Sequence, residues 1–187
     1  TIEPILTYYL NGGVCTVADR DQIATEIPAI KKKFDTYEKF ASADFSNIFT
    51  PGELKNAMHL TARSFTSVYL ENKGNGKFVM RSLPMEAQFS AVQSIQVQDF
   101  DGDGRLDAIV LGNYFSPDFV TGRYDASHGL LLKGDGKGSF APVPAAQSGL
   151  FVTGDMRSSA LIRIKNSTCL LAAVNSGKLR CFKINKH

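Results

Sequence analysis

The sequence contains few of the residues that build common metal and redox centres. It has three cysteines and three histidines: Cys15, Cys169, Cys181, His59, His128 and His187. An odd cysteine count without a C-x-x-C pair predicts neither a disulfide framework nor a zinc site. With Ser176-Gly177 as a two-residue turn, we expect Ala172 opposite Cys181, Cys169 opposite Ile184 and the two cysteines on opposite faces, which disfavours a disulfide. The histidines are too dispersed to predict a site.

The chain also lacks the marks of several other protein classes. No apolar run approaches the roughly 20 residues of a membrane span, and we find no signal peptide. The formal net charge is +3, and the one basic run, residues 31–33, is expected on the wet face of a helix, so nucleic acid is not an expected partner. There is no Gly-x-Ser-x-Gly, His-Glu-x-x-His or P-loop motif. Because the chain starts at Thr1, we expect a mature form or an excised piece of a longer protein.

One nine-residue segment carries most of the functional information. Residues 99–107 read D-F-D-G-D-G-R-L-D, with carboxylates at loop positions 1, 3, 5 and 9. Four such negative charges repel one another unless a cation lies between them, and flexible Ca²⁺ fits better than strictly octahedral Mg²⁺. Gly104 permits the sharp turn. The predicted ligands are Asp99, Asp101, Asp103, the backbone carbonyl of Arg105, and Asp107.

This loop is not an ordinary EF-hand. Val110 occupies position 12, where an EF-hand has a bidentate Glu. Residues 89–97 alternate between apolar and polar or small side chains, and residues 106–111 form a short apolar run; both patterns are typical of strands. The sequence therefore predicts a strand, a calcium loop and a second strand. The alternative is a charged turn that binds nothing, but such a turn does not need acids at all four positions.

The rest of the chain divides into a helical part and a β part. Residues 2–17 predict a strand pair. An apolar stripe at Ile23, Ile27, Ile30, Phe34 and Tyr37 predicts helix that Pro28 breaks or kinks, so that two short helices could form. The capping box at residues 50–53 predicts another helix to about Met58. Residues 65–71 and 72–78 predict a strand and a hairpin turn.

A hairpin sequence recurs along the β part. Residues 68–78 parallel residues 130–140, with a weaker third copy at 171–182, and the period of roughly 60 residues is in the range of propeller blades. Asp135 in segment 134–138 has no acidic companions at metal-loop spacing, and segment 154–157, where a next loop would fall, lacks the full set of carboxylates. We therefore expect one metal site. The predicted fold is mainly β with N-terminal helices and about two four-stranded antiparallel propeller-like blades. We expect a single domain or fragment, with a strand pair and helical cap in residues 1–58 and propeller-like repeats in 59–187.

The segments 98–107 and 134–140 resemble the FG-GAP/VCBS repeat of integrin-α-like β-propellers. The stretch from 83–90 through 121–127 is similar to the C-terminal part of large secreted bacterial proteins that are often joined to an ASPIC/UnbV domain. The resemblance covers about residues 65–185. It implies Ca²⁺ between the first two strands of a blade, held by the five ligands above, and an extracellular, cell-surface or periplasmic location. Two or so blades cannot close a propeller, so we expect the end of a longer propeller or an open assembly whose sheet edges favour self-association.

Three functions remain open from the sequence. The first is a non-catalytic, extracytoplasmic calcium-binding module for a protein or glycan ligand. Its candidate contact aromatics are Tyr114, Phe115, Phe119 and Tyr124, which packing against an adjacent blade would equally explain. The second is a polysaccharide-acting enzyme domain with structural calcium, although its carboxylates Glu86, Asp118, Asp125 and Asp155 are scattered. The third is a purely architectural cap of a larger propeller.

Overall fold

A computed structural model describes residues 4–117 and 121–185. The fold is mainly β, with 36% strand and 16% helix. The described strands form four antiparallel sheets, none of them closed into a barrel or a propeller. The chain divides into two compact units, Thr1–Ala62 and Arg63–His187.

The first unit begins with a tight hairpin. Strand β1 (Thr7–Leu10) pairs with β2 (Gly13–Thr16), and Leu10 lies opposite Gly13. The two residues between them, Asn11 and Gly12, have φ angles of +50° and +90°. A two-residue turn with both φ values positive matches the right-handed twist of the strands. The predicted strand pair is confirmed.

Four short helices complete the first unit. They are α1 (Arg20–Glu26), α2 (Ala29–Lys33), α3 (Tyr37–Ala41) and α4 (Phe45–Ile48). Asp19 caps α1 by accepting a hydrogen bond from the Gln22 backbone N–H at 2.8 Å. Pro28 separates α1 from α2, as predicted, because its ring cannot continue a helix. The buried core of this unit consists of Ile23, Ala24, Ile30, Phe34, Ile48 and Phe49.

The helix predicted from Thr50 to Met58 is wrong beyond its first turn. Its capping bonds are present, since the Thr50 backbone N–H donates to Glu53 Oε2 at 2.7 Å and the Leu54 N–H donates to the Thr50 carbonyl at 3.2 Å. Residues 51–56 nevertheless form turns only, and Met58 is 83% exposed. A cap does not sustain a short helix that has little apolar face to bury.

The second unit contains nine of the described strands. Two form the hairpin β3 (Val68–Asn72) and β4 (Phe78–Ser82). Four form a meander in chain order: β5 (Val92–Gln98), β6 (Asp107–Gly112), β7 (Leu130–Gly134) and β8 (Phe140–Val143). Three form a second meander: β9 (Met156–Ile164), β10 (Ser167–Val174) and β11 (Arg180–Ile184). Short helical turns lie at Met85–Gln88 and at α5 (Ala145–Ser148).

The two meanders meet through the edge strands β5 and β9. The hydroxyls of Ser94 and Ser159 are 2.7 Å apart, and the Gln96 side-chain amide donates to the Ser159 carbonyl at 2.9 Å. The shared core lies between the two sheets and includes Leu111, Met156 and Leu170, which are fully buried. The bond from Gln96 gives the backbone carbonyl of Ser159, on edge strand β9, a protein partner.

The repeat pattern is met only in part. One sheet has four strands, as expected of a blade, whereas the other meander has three. The hairpin β7–β8 joins the third and fourth strands of its sheet, but β10–β11 joins the second and third strands. The third sequence copy therefore does not occupy an equivalent place. The strand predicted from Phe65 begins at Val68, and Phe65 is 90% exposed.

The predicted faces of the two C-terminal cysteines are wrong. In the structure Leu171 lies opposite Cys181 and Cys169 lies opposite Lys183, one residue away from the expected register. Seven residues separate the last pair, Ala172 and Arg180, so the connection is odd-numbered and no two-residue turn fits it. A one-residue slip moves every side chain to the other face, and Cys169 and Cys181 consequently share a face. All three cysteines are free thiols, and burial raises the pKa of Cys169.

Candidate metal centre

The acidic loop connects the two strands that the sequence predicts. Strand β5 ends at Gln98, which pairs with Asp107 at the start of β6, so the loop closes on adjacent strands. Gly102 and Gly104 each have a φ of +84°. Residues with a Cβ rarely adopt this conformation, and the two glycines allow the chain to fold its acidic side chains back toward the corner.

Three carboxylates converge at this corner. One oxygen from each of Asp99, Asp101 and Asp107 lies within 4.8 Å of the other two. Asp107 is buried, and the other two are half-buried. An all-oxygen donor set with this spacing could hold a metal ion, because one ion can contact all three groups at once.

Asp107 holds the loop and the sheet together. Its Oδ2 accepts a hydrogen bond from the Phe100 backbone N–H at 3.0 Å, and its Oδ1 accepts one from the Gly134 N–H at 2.9 Å. The residue is 2% exposed. Gly134 is required for this approach, since a Cβ there would lie 2.0 Å from the Leu106 carbonyl oxygen. A single carboxylate thus joins the loop, β6 and β7.

Loop amides orient the other two carboxylates. Asp99 accepts hydrogen bonds from the backbone N–H groups of Gly102 at 2.7 Å and Gly104 at 3.1 Å. Asp101 accepts one from the Asp103 N–H at 3.1 Å. Each carboxylate oxygen has two lone pairs, so an oxygen that accepts an amide bond retains capacity for a cation. The backbone amides therefore orient these carboxylates and leave lone pairs on their oxygens that can bind a cation.

Asp103 lies outside the converging triad. Its Oδ1 accepts from the Arg105 backbone N–H at 2.9 Å, and its Oδ2 accepts from the Arg105 guanidinium. The bonds from Arg105 lower the pKa of Asp103 to about 2. The structure therefore brings together three of the four predicted carboxylate ligands. The ligand roles of Asp103 and of the Arg105 carbonyl stay predictions.

Lys133 is a site residue that sequence reasoning missed. Its ammonium group bonds to Asp101 Oδ2 and lies 3.2 Å from Asp103 Oδ2. These contacts lower the pKa of Asp101 and raise the pKa of Lys133. Lys133 is 26 residues beyond Asp107 in the chain, and no local motif marks it. Strand alternation places Lys133 on the same face of β7 as Leu131. The link to the site comes only from the pairing of Leu131 with Ile109, which shares a face with Asp107.

Some of the aromatic residues after β6 make contacts within the protein. Tyr114 pairs with Tyr124 through backbone hydrogen bonds of 2.8 and 2.9 Å. The Arg157 guanidinium lies 4.8 Å from the Tyr114 ring centre, and Arg123 lies 5.1 Å from the Phe115 ring centre. Tyr124 is 46% exposed. Phe119 lies outside the described residues.

The other sequence candidates do not form a group. Glu86 and Asp125 are exposed, and Asp118 and His187 lie outside the described residues. His128 stacks on Phe151, with ring centres 4.7 Å apart, and His59 is exposed.

Asp155 differs from those candidates because it is 2% exposed. Its Oδ2 accepts from Arg157 at 2.8 Å and from Asn175 at 3.2 Å, whereas its Oδ1 has no hydrogen-bond partner in the described part of the chain. Asp155 lies in segment 154–157, where the sequence predicts that there is no second metal loop.

Comparisons with protein-family models, with curated proteins and with solved structures find no match to this chain. Across the described residues, no helix is long and apolar enough to cross a membrane.

The Asp103 carboxyl should titrate far below its ordinary value. Its midpoint is expected at about pH 2 rather than 3.8 in metal-free protein, followed by carboxyl-carbon NMR shifts. A pKa lowered in the folded state contributes stability above pH 3.8 that is lost as the pH falls toward 2. Arg105→Gln should return the midpoint toward 3.8, because the guanidinium is the main cause of the shift. An unchanged midpoint in this variant would contradict the assignment.

Asp107→Asn should destabilise the second unit by about 2 kcal/mol or more, measured by chemical denaturation. The side-chain NH₂ of the new Asn would face the backbone N–H of Phe100 or Gly134. Two donors cannot bond to each other, so one buried hydrogen bond would be lost. Asp135→Asn is the matched control: Asp135 is exposed, and its Oδ1 accepts from the Lys137 and Ser139 amides at 2.7 and 2.9 Å. An Asn retains Oδ1, so the control should change stability by less than about 0.5 kcal/mol. Equal losses in both variants would be evidence against a special role for Asp107.

Proposed function

We propose that this chain is a non-catalytic, calcium-stabilised module of β-propeller type that acts outside the cytoplasm and binds a protein or glycan ligand. The observation that carries the proposal is the convergence of Asp99, Asp101 and Asp107 within 4.8 Å at a strand–loop–strand corner. The resemblance of residues 98–107 to the FG-GAP/VCBS repeat supports the same interpretation.

Donor chemistry favours calcium over other metals. The converging atoms are carboxylate oxygens, and the triad includes neither histidine nor cysteine, whereas zinc prefers nitrogen and sulfur ligands. Mg²⁺ requires near-ideal octahedral geometry at 2.0–2.1 Å, but Ca²⁺ accepts six to eight oxygens in flexible arrangements. The carboxylates of this loop are already held by its own amides, so their geometry suits Ca²⁺, which tolerates irregular coordination, better than Mg²⁺.

The proposed role of the ion is structural. Asp107 is bonded to Gly134 on β7, and Asp99 and Asp101 belong to the loop. An ion shared by these three groups would bind the loop to the first three strands of the four-stranded meander. Repulsion among the carboxylates would then become attraction to a common centre.

The charges around the site favour weak binding. Lys133 and Arg105 already pair with Asp101 and Asp103, so a metal must displace or share these contacts. Extracellular modules of this chemistry bind Ca²⁺ at about 10⁻⁴–10⁻³ M. Such a site would fill where calcium is abundant and stay empty in cytosol, so the proposed role goes with an extracellular, cell-surface or periplasmic location.

Calorimetric titration should show one Ca²⁺ site with a Kd of about 10⁻⁴–10⁻³ M. At 10 mM Ca²⁺, binding to the native state should stabilise the protein by about 1.4–2.7 kcal/mol. Asp101→Asn should abolish the heat of binding without unfolding the chain, since Asp101 is half-exposed, whereas Asp135→Asn should leave binding unchanged. Absence of a binding heat at 10 mM Ca²⁺ in the unaltered protein would refute the proposal.

The ligand class can be tested separately. The calcium-loaded protein should bind members of a glycan array or a surface-protein panel while leaving chromogenic glycosides intact. Tyr124→Ala should weaken that binding, because Tyr124 is 46% exposed; Tyr37→Ala, at an aromatic that is 61% exposed in the first unit, is the control. Turnover of any glycoside would instead favour the enzyme alternative.

A further inference from the structure

A cleft of about 690 Å³ lies beside the metal centre, between the two meanders of the second unit. Cavities of 300–1,000 Å³ are the usual size of small-molecule sites. Its apolar lining comes from strands of both sheets and from the segment after α5: Ile109, Leu131, Leu150, Leu170, Phe182 and Ile184. The volume and this lining would suit a compact apolar body.

The cleft and the metal centre share residues. Asp101 and Asp107 of the triad line the cleft, and so does Lys133. Lys133 and Leu131 are two residues apart on β7 and therefore point to the same face. The cleft therefore combines apolar walls with charged groups: Asp101, Asp107 and Lys133 at the metal centre, and Lys183 elsewhere in its lining.

In the metal-free state the ammonium group of Lys133 is engaged with Asp101 and Asp103. A Ca²⁺ ion bound to Asp101 would repel this ammonium group at contact distance. Lys133 would then have to leave the carboxylates, and it is one of the residues that line the cleft. Metal loading would therefore free a positive charge beside the cleft.

We propose that the cleft binds an apolar molecule that carries one anionic group, and that Ca²⁺ strengthens this binding by releasing Lys133 from Asp101. The inference rests on the proposed calcium site. Charge complementarity selects the occupant. Without metal the carboxylates of Asp101 and Asp107 oppose the attraction of an anion to Lys183; with metal they would be neutralised, and the ammonium group of Lys133 would add to that of Lys183.

Two fluorescent probes with the same ring system separate charge from apolar contact. 8-Anilinonaphthalene-1-sulfonate carries one negative charge, and N-phenyl-1-naphthylamine carries none. Each is titrated into the whole chain with and without 10 mM Ca²⁺. Ca²⁺ should raise the affinity for the sulfonate about tenfold, the effect of one charge-assisted hydrogen bond, and change that for the neutral probe less than twofold.

Three variants locate the effect. Lys133→Gln should lose the calcium-dependent gain while binding Ca²⁺ more tightly in calorimetry, because the competing ammonium group is gone. Lys178→Gln, at an exposed lysine outside the cleft lining, should keep the full gain. Gln147→Trp places a bulky ring at an exposed position of the cleft lining and should weaken both probes.

The outcomes distinguish this inference from the proposed function. If calorimetry shows Ca²⁺ binding but the sulfonate gains no affinity, or Lys133→Gln retains the gain, the inference fails and the calcium site stands. If Ca²⁺ does not bind, both fail. Unchanged binding of both probes to Gln147→Trp would place them elsewhere, and a dimer by light scattering that excludes both probes would show a second copy in the cleft; either result overturns the inference.

Discussion

The acidic corner depends on one buried carboxylate. Asp107 is removed from water, which is costly for a charged group unless hydrogen bonds replace its hydration. The amides of Phe100 and Gly134 provide those bonds, and they belong to the loop and to a strand 27 residues further along the chain. Because both oxygens are held, the loop keeps its folded-back shape before any metal arrives. Folding therefore already orders the ligands, and metal binding would lose little further conformational entropy.

The surrounding charges lower the metal affinity that this preorganised loop would otherwise have. Asp99, Asp101, Asp103 and Asp107 contribute four negative charges to one corner, and cationic side chains offset part of this repulsion in the metal-free protein. Arg105 and Lys133 pair with Asp103 and Asp101, so an incoming cation competes with groups of its own sign. A preformed set of oxygens and a resident pair of cations have opposite effects on affinity. For the proposed calcium site, this balance predicts filling only at high calcium concentrations.

Local features were predictable from sequence, and features that depend on register or distant contacts were not. The strand–loop–strand unit follows from the glycines of the loop and from the strand patterns of residues 89–111, which are local in the chain. The Thr50 capping box indicates where a helix can start but not whether tertiary packing will sustain it. The faces of Cys169 and Cys181 depend on the turn length, where an error of one residue inverts every side chain. Lys133 reaches the site only because β7 pairs with β6, and single-sequence patterns do not show strand pairing at that distance.

The shared use of Lys133 imposes a thermodynamic condition on the second unit. If Ca²⁺ raises the affinity of the cleft for an anion by some factor, the anion must raise the affinity for Ca²⁺ by the same factor. This coupling between Ca²⁺ and the anion needs no change of fold, because the same residue, Lys133, both lines the cleft and contacts Asp101. In the proposed coupling, the half-exposed Lys133 side chain would serve as the two-state element by exchanging Asp101 for the anion of the ligand. The apolar walls can stay fixed, since Leu170 is fully buried and Ile109 nearly so in the core that joins the sheets, and ligand choice is then decided by the charged groups.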